Sequence, residues 1–335
     1  MSIFSNYLTN HRSSVYIGFL TLILCLGIGY IIFRQGDPDP TSSTAPIPNC
    51  ESHRFINQTL DCGLIDENIF RIRNIDMRIR NIIEEEVKKN NITRASVFYR
   101  DLTTRRWFGI DDTVNFYGAS LLKLPLSIIY FKFAEVAPDI LTQKFDLPLE
   151  ERNEKEFFPS MKKMLVPGTE YTVKELIEGM LIDSDNNPVP VLNAHIDPSF
   201  RSSILHDLGI EQPITDVDSP ELYINVRIYS NILRFLYNAS YLNLVYSDTL
   251  LEFLSRTTFN EGIGAVIPPE IPVAHKFGEA TKFASDGSVE SRILHDCGIV
   301  YAPHNPYIIC IMTEGKDYTN MSHVIQRIAE ATYQF

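Results

Sequence analysis

A mixed α+β fold is what the residue pattern of this chain predicts: an antiparallel sheet flanked by helices, with an all-helical subdomain inserted. Three observations carry that expectation. Short segments of strand-like period lie near both ends of the stretch 65–335. A long block of helical period separates them. Strands and helices come in runs, without the strict alternation that builds parallel sheets. Strands from both ends must therefore meet in one sheet across the insert.

From Glu67 to Lys89 apolar residues recur at helical spacing (Ile69, Ile72, Ile75, Ile79, Ile83) among charges, so an amphipathic helix is expected. The period then shortens. Ala95–Arg100 and Arg106–Ile110 read as two strands around the turn-like Asp101-Leu102-Thr103-Thr104. Ser120 opens the next helix, which continues through Phe131. Further helical segments include Val173–Ile182 and Val226–Tyr237. Strands return at Val273–Phe277, Arg292–Tyr301 and Tyr307–Thr313, the last two joined by the turn Ala302-Pro303-His304-Asn305-Pro306. A final helix is expected from Asn320 to Thr332.

Composition bounds the possibilities. The chain has 335 residues, 44% of them apolar, with 20 Phe and 16 Tyr, enough for a packed core. A formal net charge of −12 argues against nucleic acid as a partner, since phosphate binding needs a basic face. The 19 residues from Val15 to Phe33 carry no charge and match a bilayer core in length. No small-residue cleavage site follows them, so a retained single-pass anchor is expected, with residues 1–14 in the cytoplasm. Residues 34–64 are rich in Pro, Ser and Thr and read as a tether to an extracytoplasmic domain at 65–335. Cys50 and Cys62 could pair in an oxidising compartment. Cys297 and Cys310, on neighbouring expected strands, are read as buried thiols. No Cys or His spacing suggests a metal, and no cofactor is expected.

Chemistry enters with Ser120-Leu121-Leu122-Lys123. A serine hydroxyl is a poor nucleophile until a base takes its proton, and a lysine three residues on shares its helix face. Desolvation lowers a lysine's pKa and suits it to that task. The pair alone is weak: Ser160-Met161-Lys162-Lys163 is a second copy, and ~1 such hit arises by chance in a chain this long. Two later motifs, in this order along the chain, add weight: Ser184-Asp185-Asn186 and then His275-Lys276-Phe277-Gly278.

With these residues in order, the chain resembles the class A serine β-lactamases, within the penicillin-binding-protein-like group. Phe116–Pro125 is similar to the family's nucleophile helix, and Met180–Asn186 to its Ser-Asp-Asn loop. Phe259–Ile263 with Pro272–Glu279 is similar to the third motif, and His295–Tyr301 to the strand after it. The resemblance implies a β-lactamase/transpeptidase-like fold and a β-lactam or D-Ala-D-Ala-type substrate. It also implies roles. Ser120 would attack the carbonyl and Lys123 would be its base. Ser184 would pass a proton to the leaving nitrogen. Asn186 would bond the substrate's amide, and Lys276 would supply positive charge. The backbone N–H groups of Ser120 and Glu279 would form the oxyanion hole, and Gly278 would let substrate approach the strand. The activity so implied is β-lactam opening through acyl-Ser120. A D,D-peptidase with slow deacylation and a non-catalytic peptidoglycan- or protein-binding descendant are the alternatives.

Two departures stand out. Phe277 occupies a position where the family has Thr or Ser, whose hydroxyl bonds the substrate carboxylate. Losing one such bond costs on the order of 1.5–3 kcal/mol. The family's water-activating glutamate, followed four residues later by Asn, has no clean counterpart. Glu221, four residues before Asn225, is the nearest match, with Asp216 and Asp218 as alternatives.

Plainer readings compete. Ser160–Lys163 reads as a solvated helix end, and Lys123 alone could be a surface lysine. Ser184–Pro188 could be only a cap and turn, with Asp185 structural. His275 and His295 read as strand-packed. The sequons at Asn57, Asn91, Asn238 and Asn320 matter only in a host that glycosylates secreted proteins.

Overall fold

The computed structural model describes residues 65–149, 165–211 and 222–334. The expected anchor and tether with Cys50 and Cys62, the second motif at 160–163, and Asp216, Asp218 and Glu221 lie outside the described residues. Among the described residues no helix is long and apolar enough to cross a membrane.

Helix α1 (Ile65–Lys88) leads into β1 (Arg94–Asp101) and β2 (Trp107–Ile110). The three C-terminal strands are β7 (Val273–Phe283), β8 (Val289–Val300) and β9 (Tyr307–Gly315). They join β1 and β2 in one five-stranded sheet of order β2-β1-β9-β8-β7, antiparallel at every pairing. Both ends of the domain thus supply one sheet, as the pattern predicts. The strands outrun their predicted bounds, because the β7–β8 hairpin continues past Gly278 to Phe283 paired with Val289.

Strand alternation gives the sheet two apolar faces. Val97, Ile309, Ile311, Leu294 and Phe277 pack with Ile75 and Ile79 of α1 and with Val324, Ile325 and Ile328 of the C-terminal helix Tyr318–Tyr333. Arg327 ties the two helices together, pairing with Glu85 and Glu86. Phe98, Ile308, Cys310, Cys297 and Ala274 face the helical insert.

The insert is centred on α2 (Lys123–Ala134), ten of whose twelve residues are buried. A helix apolar on all sides belongs inside a domain. Around it lie α3 (Val173–Ile182), α4 (Pro188–Ala194), α5 (Pro198–Asp207), α6 (Val226–Tyr237) and α7 (Leu244–Ser255). Helix α3 begins where Thr172 and Glu175 form a reciprocal capping box. Asn225 caps α6. Two short pairings were not legible in the sequence: β3 (Phe116–Tyr117) with β6 (Tyr223–Ile224), and β4 (Lys144–Asp146) with β5 (Glu170–Thr172). The reading of Cys297 and Cys310 as thiols is corrected. The β8–β9 register sets them directly opposite one another, and they form a disulfide.

Candidate active site

Ser120 sits in a 3-10 turn, Ala119–Leu122, that runs directly into α2. Gly118 fixes the entrance, its N–H donating to Leu222 O at 2.9 Å. Ala119, just before Ser120, has φ +44°, and Ser184 itself has φ +57°. A left-handed conformation at a residue with a side chain costs of order 1–3 kcal/mol and persists where surrounding structure imposes it. Both key serines therefore lie at or beside such a point.

Lys123, in the first turn of α2, is buried (4% exposed), which removes the surface-lysine reading. Its Nζ reaches the loop after α3 and donates to the carbonyl oxygen of Ser184 and, at 3.1 Å, to Ser184 Oγ. From the sheet side Lys276, fully buried on β7, donates to the same Oγ at 2.9 Å and to Phe277 O at 3.2 Å. One hydroxyl thus accepts from two lysines. A hydroxyl has two lone pairs and one proton. With both pairs engaged, the proton is the group Ser184 has left to offer.

Gly278 brings β7 against the nucleophile turn. A Cβ built there would lie 3.1 Å from Leu121 N and 3.3 Å from Ser120 N. Only a bare Cα leaves a gap between the strand and those two amides. Glu279 follows on the same strand, and β7 is an edge of the sheet. An edge strand keeps backbone donors and acceptors for a ligand's amide. Beneath Gly278, directly opposite in the β8 register, is His295. Its Nε2 lies 3.1 Å from Tyr117 O, and its ring meets Phe116 edge-on at 5.4 Å. Complete burial pushes its pKa down to about 4, so the ring is neutral and Nε2–H is the donor to Tyr117.

The Ser184–Asn186 loop is held by its middle residue. Asp185 is buried and accepts from Leu165 N at 2.8 Å and Asn187 N at 2.9 Å. The cap-and-turn reading is right for Asp185, while Ser184 faces the lysines. Asn186 lies on the same loop, half-buried, its carbonyl accepting from Val189 N at the start of α4.

Phe277 is buried (2% exposed). Its ring stacks on Phe259 at 4.1 Å between centroids and lies 4.3 Å from the Lys276 ammonium. Where the family has a hydroxyl, this chain offers Lys276 the negative face of an aromatic ring. An aromatic directly beside the motif lysine was the available sequence signal for that contact. Asn225 is also committed. Its Oδ1 accepts from Ile228 N at 3.0 Å as the cap of α6, and its Nδ2 donates to Asn115 Oδ1 at 3.0 Å. Glu221, four residues earlier and the candidate water-activating base, is outside the described residues.

Ser120, Lys123, Ser184, Lys276 and Gly278 therefore meet where α2, the α3–α4 loop and β7 converge. Residues 75–335 match the sequence model of the β-lactamase enzyme family. The chain belongs to that family. Solved structures share its fold at low identity. PBP-A, as a variant in an acyl-enzyme complex with penicillin G, is 18% identical over 78% of this chain and 96% of that one, with a TM-score of 0.63. The β-lactamase from Sphaerobacter thermophilus is 17% identical over 77% and 95%, with a TM-score of 0.64. The extended-spectrum β-lactamase TLA-1 is 15% identical over 78% and 98%, with a TM-score of 0.65. No curated protein matches the sequence.

Proposed function

We propose that this β-lactamase-family protein is a serine hydrolase that opens β-lactam rings through an acyl-Ser120 intermediate, anchored to a membrane by residues 15–33 with its catalytic domain outside the cytoplasm. The observation that carries the chemical part is the convergence of Lys123 and Lys276 on Ser184 Oγ, beside the turn that bears Ser120.

Each of these groups has a step. Lys123, in its neutral form, takes the Ser120 proton as Oγ bonds to the lactam carbonyl carbon. Negative charge on the carbonyl oxygen is met by the N–H groups of Ser120 and Glu279 across the gap that Gly278 leaves. The C–N bond then breaks. The leaving nitrogen takes the Ser184 proton, which is replaced from the adjacent lysine ammonium. Asn186 bonds the substrate's side-chain amide, and Lys276 attracts its carboxylate. Water completes hydrolysis of the ester, with Glu221 assigned as its base.

A second reading has its own support. The Asn225 amide is engaged at both ends, its Oδ1 in starting α6 and its Nδ2 on Asn115. That favours slow deacylation, as in a D,D-peptidase trapped by penicillin. Pre-steady-state hydrolysis of a chromogenic cephalosporin separates the two. Sustained turnover is expected of the lactamase. A burst of one equivalent followed by near-arrest supports the peptidase. Absence of both the burst and labelling by a fluorescent penicillin overturns the acyl-transfer reading altogether. For the anchor, deletion of residues 1–33 should release the protein from washed membranes; continued sedimentation with them contradicts that part.

A further inference from the structure

A buried pair that the proposed chemistry never touches lies directly behind Lys276. Strand alternation turns His275 and Phe277 to the sheet face opposite the helical insert. There His275 Nδ1 lies 2.8 Å from Oδ1 of Asp296 on β8. The other oxygen, Oδ2, accepts from the backbone N–H of Ile263 at 2.7 Å. Asp296 is wholly buried and His275 nearly so. A carboxylate only accepts, so His275 carries its proton on Nδ1.

The loop before β7 is shaped to reach this pair. A Cβ on Gly262 would lie 2.1 Å from Asp296 Oδ2, so the chain passes the carboxylate as only glycine permits. The stack of Phe277 on Phe259 makes a second tie between β7 and the same loop. Both chain neighbours of Lys276 are thus tied to residues 259–263, Phe277 directly through Phe259 and His275 through Asp296, which holds Ile263 N. His275 is fastened through directional bonds and Phe277 through an apolar face, which alone would let the strand slide.

We infer that His275 and Asp296 are positioning residues for Lys276. They lock the loop 259–263 to β7 and so set the strand at the height where the Lys276 ammonium meets Ser184 Oγ. Neither residue touches substrate. The inference rests on the reading that Lys276 serves Ser184 in acyl transfer, and its test includes an arm that does not.

The test compares His275→Phe, which removes the donor, with His275→Gln, whose amide N–H can still reach Asp296. Ile325→Val, in the C-terminal helix, is the control for general loosening of the same core. Two quantities are measured on each full-length folded protein: the acylation rate constant for penicillin G, resolved from its binding constant, and amide hydrogen exchange of the peptide covering 273–279. For His275→Phe the acylation constant should fall about tenfold or more with binding little changed, and exchange across 273–279 should quicken by a similar factor. His275→Gln should recover most of both, and Ile325→Val should move neither. Parent-like exchange in His275→Phe overturns the inference, as does equal loss in the Phe and Gln variants. If the parent itself is never acylated, the proposed function fails, while the exchange arm still decides whether the pair fixes the strand. If His275→Phe does not fold, the Gln variant decides: exchange and acylation far from the parent overturn the inference.

Discussion

Replacing Gly278 by alanine puts a methyl carbon 3.1 Å from Leu121 N and 3.3 Å from Ser120 N, closer than those backbone atoms can accept without shifting by a few tenths of an ångström. Oxyanion stabilisation depends on donor placement at that scale. Gly278→Ala is therefore expected to slow acylation by a β-lactam roughly tenfold or more while the melting temperature barely moves. Stopped-flow acylation and thermal denaturation together check this; an unchanged rate would remove Gly278 from the site. His295, one strand deeper, supports a prediction about pH. Its folded pKa is about 4 because the ring is buried neutral, while the unfolded value is near 6.5. Between these values the unfolded chain takes up a proton that the folded protein does not. Stability contributed by the neutral ring is thus complete above pH 6.5 and falls as pH drops toward 4, by about 3 kcal/mol in all. Denaturant titrations of the parent and His295→Leu across this range should differ in slope by close to one proton. Parallel curves would contradict a buried neutral histidine.

Among the elements, those with strong periodic signals were legible. Helices α3 and α6 were read from their apolar spacing, and the structure adds the capping box at Thr172 and Glu175 and the Asn225 cap that start them. Elements set by partners were not. Phe116–Tyr117 and Tyr223–Ile224 are two residues each, too short for any period, and pair only because the folded chain brings them together. The same limit hid the Cys297–Cys310 disulfide. Spacing in sequence says nothing of register, whereas the β8–β9 pairing places the two side by side. Asn225 allows a test at this scale. With its amide engaged as the α6 cap, Asn225→Ala should lower stability by about 1 kcal/mol and leave the lifetime of the acyl adduct unchanged. A parent-like stability with an altered lifetime would instead give Asn225 a role in handling water.

Over the whole molecule the site is assembled by topology. Ser120 and Lys123 come from the start of the central helix, Ser184 from a loop 61 residues after Lys123, and Lys276 from an edge strand 92 residues after Ser184. Their residue types and order were readable because each keeps a local motif. Their supports were not, because His275 with Asp296, and His295 with Tyr117, join segments 21 and 178 residues apart with no local pattern to mark them. The fold brings these groups to one place, where Ser120 is the hydroxyl they are proposed to activate. Intact-mass spectrometry of the parent and of Ser120→Ala, each mixed with penicillin G, is the decisive experiment. A covalent adduct of one intact penicillin is expected on the parent, mapped to Ser120, and none on the variant. An adduct of equal yield on Ser120→Ala, or none on either protein, would show that Ser120 is not the nucleophile.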